Sequence, residues 1–120
     1  MLHPEDRSAL ETLVGDLGRS TVTRALQMLI RDLPAQLAEL RTQATANEPA
    51  TFKRLAHNLK GRCGMLGLKV LRESVYRLEQ ASFEPTPARR LALLHELDVL
   101  AEELIPNLSN FLKELATLAD

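Results

Sequence analysis

The residues in this chain best suited to chemistry are a histidine followed three, four and seven positions later by a lysine and two glycines: His57, Lys60, Gly61 and Gly64. A neutral imidazole offers a lone pair on one ring nitrogen and is a nucleophile near neutral pH. On a helix, positions i+3, i+4 and i+7 lie on the same face as position i. Lys60 is therefore placed to give a fixed positive charge to any anionic group carried on the ring. A phosphoryl group on nitrogen, with close to two negative charges, is such a group. Lys53, one turn before the histidine, could add a second charge. Glycine inside a helix costs about 1 kcal/mol relative to alanine. Nothing in a core explains that cost here, because both glycines share the outward face of His57. Bare backbone that lets another molecule come close does explain it.

The element carrying these residues reads as a helix. Phe52, Leu55, Ala56, Leu59, Cys63 and Leu66 recur at spacings of three and four, the period of one apolar helical stripe. At about 100° per residue that stripe centres roughly 150° from His57, so the imidazole points away from the core. Asn47 and Pro49 supply a cap and first turn, and Gly67 a stop. Cys63 falls on the apolar stripe and is expected to be a small core residue.

The rest of the chain follows the same pattern. Pro4, Glu5 and Asp6 suit a helix N-terminus, and a short helix through about Val14 should be ended by Gly15 and Gly18. A second helix should run from Ser20, as N-cap, to about Thr45. Its apolar face is Val22, Leu26, Leu29, Leu33, Leu37 and Leu40, with Pro34 bending it without ending it. A fourth should span Lys69 to Ala81, with Val70, Leu71, Val75 and Leu78 inward. Thr86 and Pro87 should open a last long helix bent at Pro106. Four amphipathic helices joined by short loops predict an all-α fold: an antiparallel four-helix bundle with a short additional N-terminal helix, residues 1–120 forming a single domain. His3, His95, the Arg89-Arg90 pair and the Glu102-Glu103 pair read as solvated surface.

The stretch His57-Asn58-Leu59-Lys60-Gly61, then Gly64, then Leu66-Gly67, preceded by Ala56, resembles the histidine-containing phosphotransfer (HPt) family. The motif covers about a dozen residues. The helix lengths agree over most of the remainder. Asn58, Arg62-Cys63 and Met65 stand where family members often carry Ser or Thr, Ser-Ser, and Asn. They bear on local hydrogen bonding and partner preference. The resemblance implies a phosphorelay carrier without kinase activity of its own. His57 would accept a phosphoryl group from the aspartate of a sensor-kinase receiver domain and pass it to a response-regulator receiver. Lys60 would stabilise the phosphoryl charge, and Gly61 and Gly64 would give access. No metal or cofactor of its own is implied, with Mg²⁺ carried by the receiver. The docking surface should be a modest apolar patch drawn from Met65, Leu68, Ile30 and Pro34, with Lys53 and Gln36 nearby.

Composition narrows the alternatives. Fifteen basic against sixteen acidic residues give a net charge of −1, without the excess of Lys and Arg that marks a nucleic-acid or membrane surface. A single cysteine excludes an internal disulfide. No apolar run reaches the ~18 residues of a membrane span, and the start MLHPEDR lacks a signal-peptide pattern. A cytoplasmic monomer is expected. A phosphoacceptor and dimerisation module of a sensor histidine kinase would also carry a histidine on a bundle helix, but usually has an acidic residue where Asn58 stands. A helical interaction domain that does not transfer remains the other alternative, and it has no use for the two glycines.

Overall fold

The computed structural model describes residues 1–46 and 48–118. Five helices make up the fold: α1 (Pro4–Leu17), α2 (Arg19–Thr45), α3 (Pro49–Met65), α4 (Lys69–Gln80) and α5 (Ala88–Thr117). Among the described residues there is no strand. Helices α2 to α5 form a closed ring in which each packs on its two sequence neighbours and α5 returns to α2. Short connections make neighbours antiparallel, and cross-helix pairs confirm it: Asp32 with Arg62, Arg41 with Asp98, and His57 with Glu79. The result is the expected antiparallel four-helix bundle, 53 × 22 × 22 Å. Helix α1 closes one end, lying on α2 and α4.

The core is aliphatic and continuous, from Leu10 through Leu26, Leu33 and Leu40 on α2, Phe52 and Leu59 on α3, Leu71 and Leu78 on α4, and Leu94, Leu97 and Leu108 on α5. Both internal prolines lie within unbroken helices, Pro34 in α2 and Pro106 in α5. Packing of the flanking leucines outweighs the hydrogen bond that each proline removes.

Several ends differ from the sequence expectation. Helix α1 runs through Gly15 and stops only at Gly18, whose φ of 91° is the turn that side chains resist. Helix α2 then begins at Arg19, with Gly18 and not Ser20 at its cap. His3, read as plain surface, caps α1: its Nδ1 accepts from the Glu5 amide at 3.2 Å. Asn47 lies outside the described residues. Thr86 is not the cap of α5. Pro87 occupies that place with φ already near-helical. Val70 is only half-buried.

The largest departure is Arg90, which is buried at 8% exposure and not solvated. Its guanidinium donates to the carbonyls of Ala44 (3.1 and 3.3 Å), Ala81 (3.5 Å), Ser82 (3.4 Å) and Glu84 (2.9 Å). Carbonyls at the C-terminal ends of α2 and α4 carry partial negative charge and lack helical partners. One buried cation satisfies both ends.

The turn between α3 and α4 fixes the other end. Gly67 has φ 69°, and a Cβ there would sit 2.6 Å from Ala9 Cβ on α1. Beyond it, the buried Asp6 carboxylate accepts from the Lys69 amide at 3.0 Å, capping α4 from another helix. Burial pushes the Asp6 carboxyl above its usual range, against the backbone amides of Lys69 and Val70, which pull it down.

Candidate functional site

Helix α3 buries Phe52, Ala56, Leu59 and Cys63, which turns His57 outward with a side-chain exposure of 64%. Burial pushes the Cys63 thiol up to about 12, so it behaves as a small apolar residue. The imidazole leans toward α4. Glu79 reaches across with Oε1 3.1 Å from His57 Nδ1. An ionised carboxylate only accepts, so this contact requires a proton on Nδ1 and, in the neutral ring, leaves Nε2 with the free lone pair.

Glu79 was not legible among the site residues from sequence. Its other oxygen, Oε2, lies 2.7 Å from Lys60 Nζ, an ion pair by distance whose line of approach is poor for a hydrogen bond. Both side chains are mostly covered, Lys60 at 16% and Glu79 at 12% exposure. Burial alone would raise the Glu79 carboxyl, but Lys60 and His57 together outweigh it and hold it below the ordinary carboxylate range. Lys60 thus serves Glu79 in this structure, and through it the histidine. Its ammonium also stands 5.1 Å from the centre of the Tyr76 ring.

These contacts belong to a regular seam. Reading α3 backward and α4 forward, Gly64 meets Arg72, Lys60 meets Tyr76, His57 meets Glu79, and Lys53 Nζ lies 5.6 Å from the centre of the Phe83 ring just past α4. The spacing of Arg72, Tyr76, Glu79 and Phe83 is four, three and four, a second stripe beside the buried one on α4. That stripe was the available sequence signal. It is polar and aromatic, so a search for apolar periodicity passes over it.

The two glycines sit as expected, exposed on the His57 face. A Cβ at Gly61 would meet nothing within 4 Å. At Gly64 it would meet Arg72 Nε at 3.4 Å, because the arginine stem lies over that position.

The docking candidates divide. Met65 is 80% exposed and edges an apolar groove of about 240 Å³ that also takes Leu17, Val22, Met28, Leu29 and Leu66. Leu68 is not on the surface: it is fully buried, because the turn after Gly67 tucks it into the core at the start of α4. Ile30 and Pro34 are also not beside His57. Asp32, two residues from each, faces Arg62 on α3, and about 100° per residue puts both some 160° round the helix from it. Pro34 lines a groove with Ala101 and Ile105 of α5 instead. Gln36, four residues after Asp32, is on the α3-facing side, and its Oε1 is buried without a hydrogen-bond partner among the described residues.

No cluster of three or more His, Cys, Asp or Glu among the described residues could hold a metal ion. No helix of the described residues is long and apolar enough to cross a membrane.

The family model of the Hpt domain matches residues 24–105, from within α2 to within α5, with all of α3 and α4. The chain belongs to the Hpt family. No curated protein and no solved structure matches it. An Hpt domain is a phosphocarrier of two-component signalling that works with receiver domains. The exposed imidazole described above lies inside the matched region.

Proposed function

We propose that His57 is the phosphoacceptor of this Hpt domain, taking the group on Nε2 from a receiver aspartate and giving it to a second receiver. One observation carries the reading: an exposed ring whose Nδ1 is tied to a covered carboxylate while Nε2 has no hydrogen-bond partner among the described residues. In the forward step the Nε2 lone pair attacks phosphorus, the P–O bond to the donor aspartate breaks, and that aspartate leaves as a carboxylate. The proton on Nδ1 stays against Glu79. In the second step an acceptor aspartate oxygen attacks and the P–N bond breaks, its electrons returning to Nε2. Phosphoryl transfer needs positioning and charge neutralisation above all. The chain contributes a nucleophile on a rigid helix, and Lys60 and Glu79 fix its orientation. The receiver contributes Mg²⁺ and most of the charge stabilisation.

Gly61 supports the reading by geometry. Side chains on a helix lean back over positions i−3 and i−4, so any side chain at position 61 would lie on His57. The groove beside Met65, one to two turns further along α3, is the apolar half of the surface on which the receiver would dock.

Incubation with a phosphorylated receiver tests the reading. Wild type should acquire label stable to base and labile to acid, and His57→Gln should acquire none. Equal labelling of the two would place the chemistry on another residue.

A further inference from the structure

The near-zero net charge hides an uneven distribution. Residues 49–80, which hold α3 and α4, carry seven basic and two acidic side chains, whereas α5 carries three and five. Of the two acids, Glu79 is already matched by Lys60. Elsewhere four cations are tied to carboxylates, Arg7 to Glu114, Arg31 to Asp32, Arg41 to Asp98 and Arg89 to Glu84, whereas Arg24 on α2 and Lys113 on α5 stand singly without one among the described residues. Around His57, Lys60 is paired with Glu79 but three further cations are left without a carboxylate. Lys53, Arg54 and Arg72 are exposed and have no carboxylate within ion-pair distance among the described residues. Arg54 lies one turn before His57, and Arg72 crosses Gly64. Lys53 rests on the Phe83 ring, and that ring is itself 62% exposed. On the opposite flank of α3 lies the apolar groove of Met28 and Met65.

We infer that these three cations form the electrostatic half of a two-sided docking surface, fitted to a receiver domain with a carboxylate-rich rim facing α4 and an apolar patch facing α1 and α2. The inference rests on the His57 reading and adds a partner chemistry and a single orientation to it. A receiver turned by half a circle would set its acidic rim on the methionine groove and its apolar patch on arginines. Exposed cations of one sign raise the rate of encounter and lose that advantage in salt, since the screening length is about 30 Å at 0.01 M and about 10 Å at 0.1 M. Rim charges act on association more than on the bound state.

The test is stopped-flow association of a Mg²⁺-loaded receiver that delivers label to the wild-type chain, between 10 and 500 mM ionic strength. Lys53→Gln/Arg54→Gln/Arg72→Gln should associate roughly fivefold more slowly than wild type at the low end and within about twofold at the high end. Arg24→Gln/Lys113→Gln, which removes cations from other faces, should match wild type. Equal rates for the triple variant and wild type at 10 mM, or a wild-type rate independent of salt, would overturn the electrostatic docking surface while leaving the carrier assignment intact. Label retained by His57→Gln would overturn the carrier assignment whatever the association data show.

Discussion

Gly61→Ala and Gly61→Gln separate stability from function at one position. Gly61 lies inside α3, and a Cβ there meets nothing within 4 Å, so neither replacement meets steric resistance from the fold. Alanine in a helix interior is favoured over glycine by about 0.8–1 kcal/mol, and glutamine is nearly as good. Both variants should therefore be more stable than wild type by up to ~1 kcal/mol, which for a domain of this size raises Tm by about 4 °C. Function should move the other way. The glutamine side chain leans back toward position 57, and Cβ atoms four residues apart are only about 5–6 Å apart. It would cover the imidazole that a receiver must reach. Transfer from a phosphorylated receiver, followed as label on the chain in single turnover, should fall at least ~10-fold for Gln, the cost of about 1.4 kcal/mol in the transition state, and less for Ala. Thermal unfolding on the same samples supplies the other axis. Higher Tm with transfer within twofold of wild type would refute the access argument. A lower Tm would refute the claim that the position is sterically open.

Glu79→Ala should let the His57 proton move between ring nitrogens, visible in imidazole ¹⁵N shifts, and slow transfer about two- to fivefold, a charge-assisted hydrogen bond discounted for solvent exposure. Unchanged shifts would remove Glu79 from the site. Gly67→Ala should destabilise by ~2 kcal/mol or more in urea unfolding, because alanine resists positive φ and its Cβ would meet Ala9. Arg90→Met leaves four carbonyl partners without a donor and should cost about 2–4 kcal/mol in the same assay, with no loss of transfer in the folded fraction. Asp6 has a raised carboxyl pKa in the fold, so its contribution is fully present below the unfolded value and is lost as pH rises through the folded one. Asp6→Asn keeps the Oδ1 acceptor for Lys69 and should gain on wild type in denaturant midpoint as pH goes from 4 to 7. A constant difference between the two would show that Asp6 is not desolvated.

The helices were legible because their information is local. Apolar residues at spacings of three and four name the buried face of each segment, and that face alone places His57 on the outside. The closed ring follows from four such faces and short loops. What stayed hidden depends on neighbours distant in sequence. Leu68 is apolar and adjacent to the motif, which makes it look like docking surface, but the positive φ of Gly67 turns the chain and buries it. Ile30 and Pro34 belong to the right helix and the wrong side of it. The facing of α2 is set by which helix closes the ring, and no periodicity states that. Arg90 reads as one more charge on a polar turn until two helix ends converge on it.

The same distinction explains why the sequence motif gave the lysine one partner and the fold gave it another. Along α3 alone, Lys60 is simply a cation one turn from the histidine, available to whatever the ring carries. The α3–α4 register inserts Glu79 between them, 3.1 Å from the ring and 2.7 Å from the ammonium. A carboxylate that close to a phosphoacceptor would repel the incoming group if it stood alone. Paired with Lys60 it is neutralised at its far oxygen while its near oxygen still holds the Nδ1 proton. Removing Lys60 would therefore harm transfer by two routes, losing a positive charge and exposing a negative one, and removing both residues together should harm it less than the two single losses combined. The lysine and the glutamate act as one unit, and the helix that supplies the second half carries nothing in the local motif to announce it.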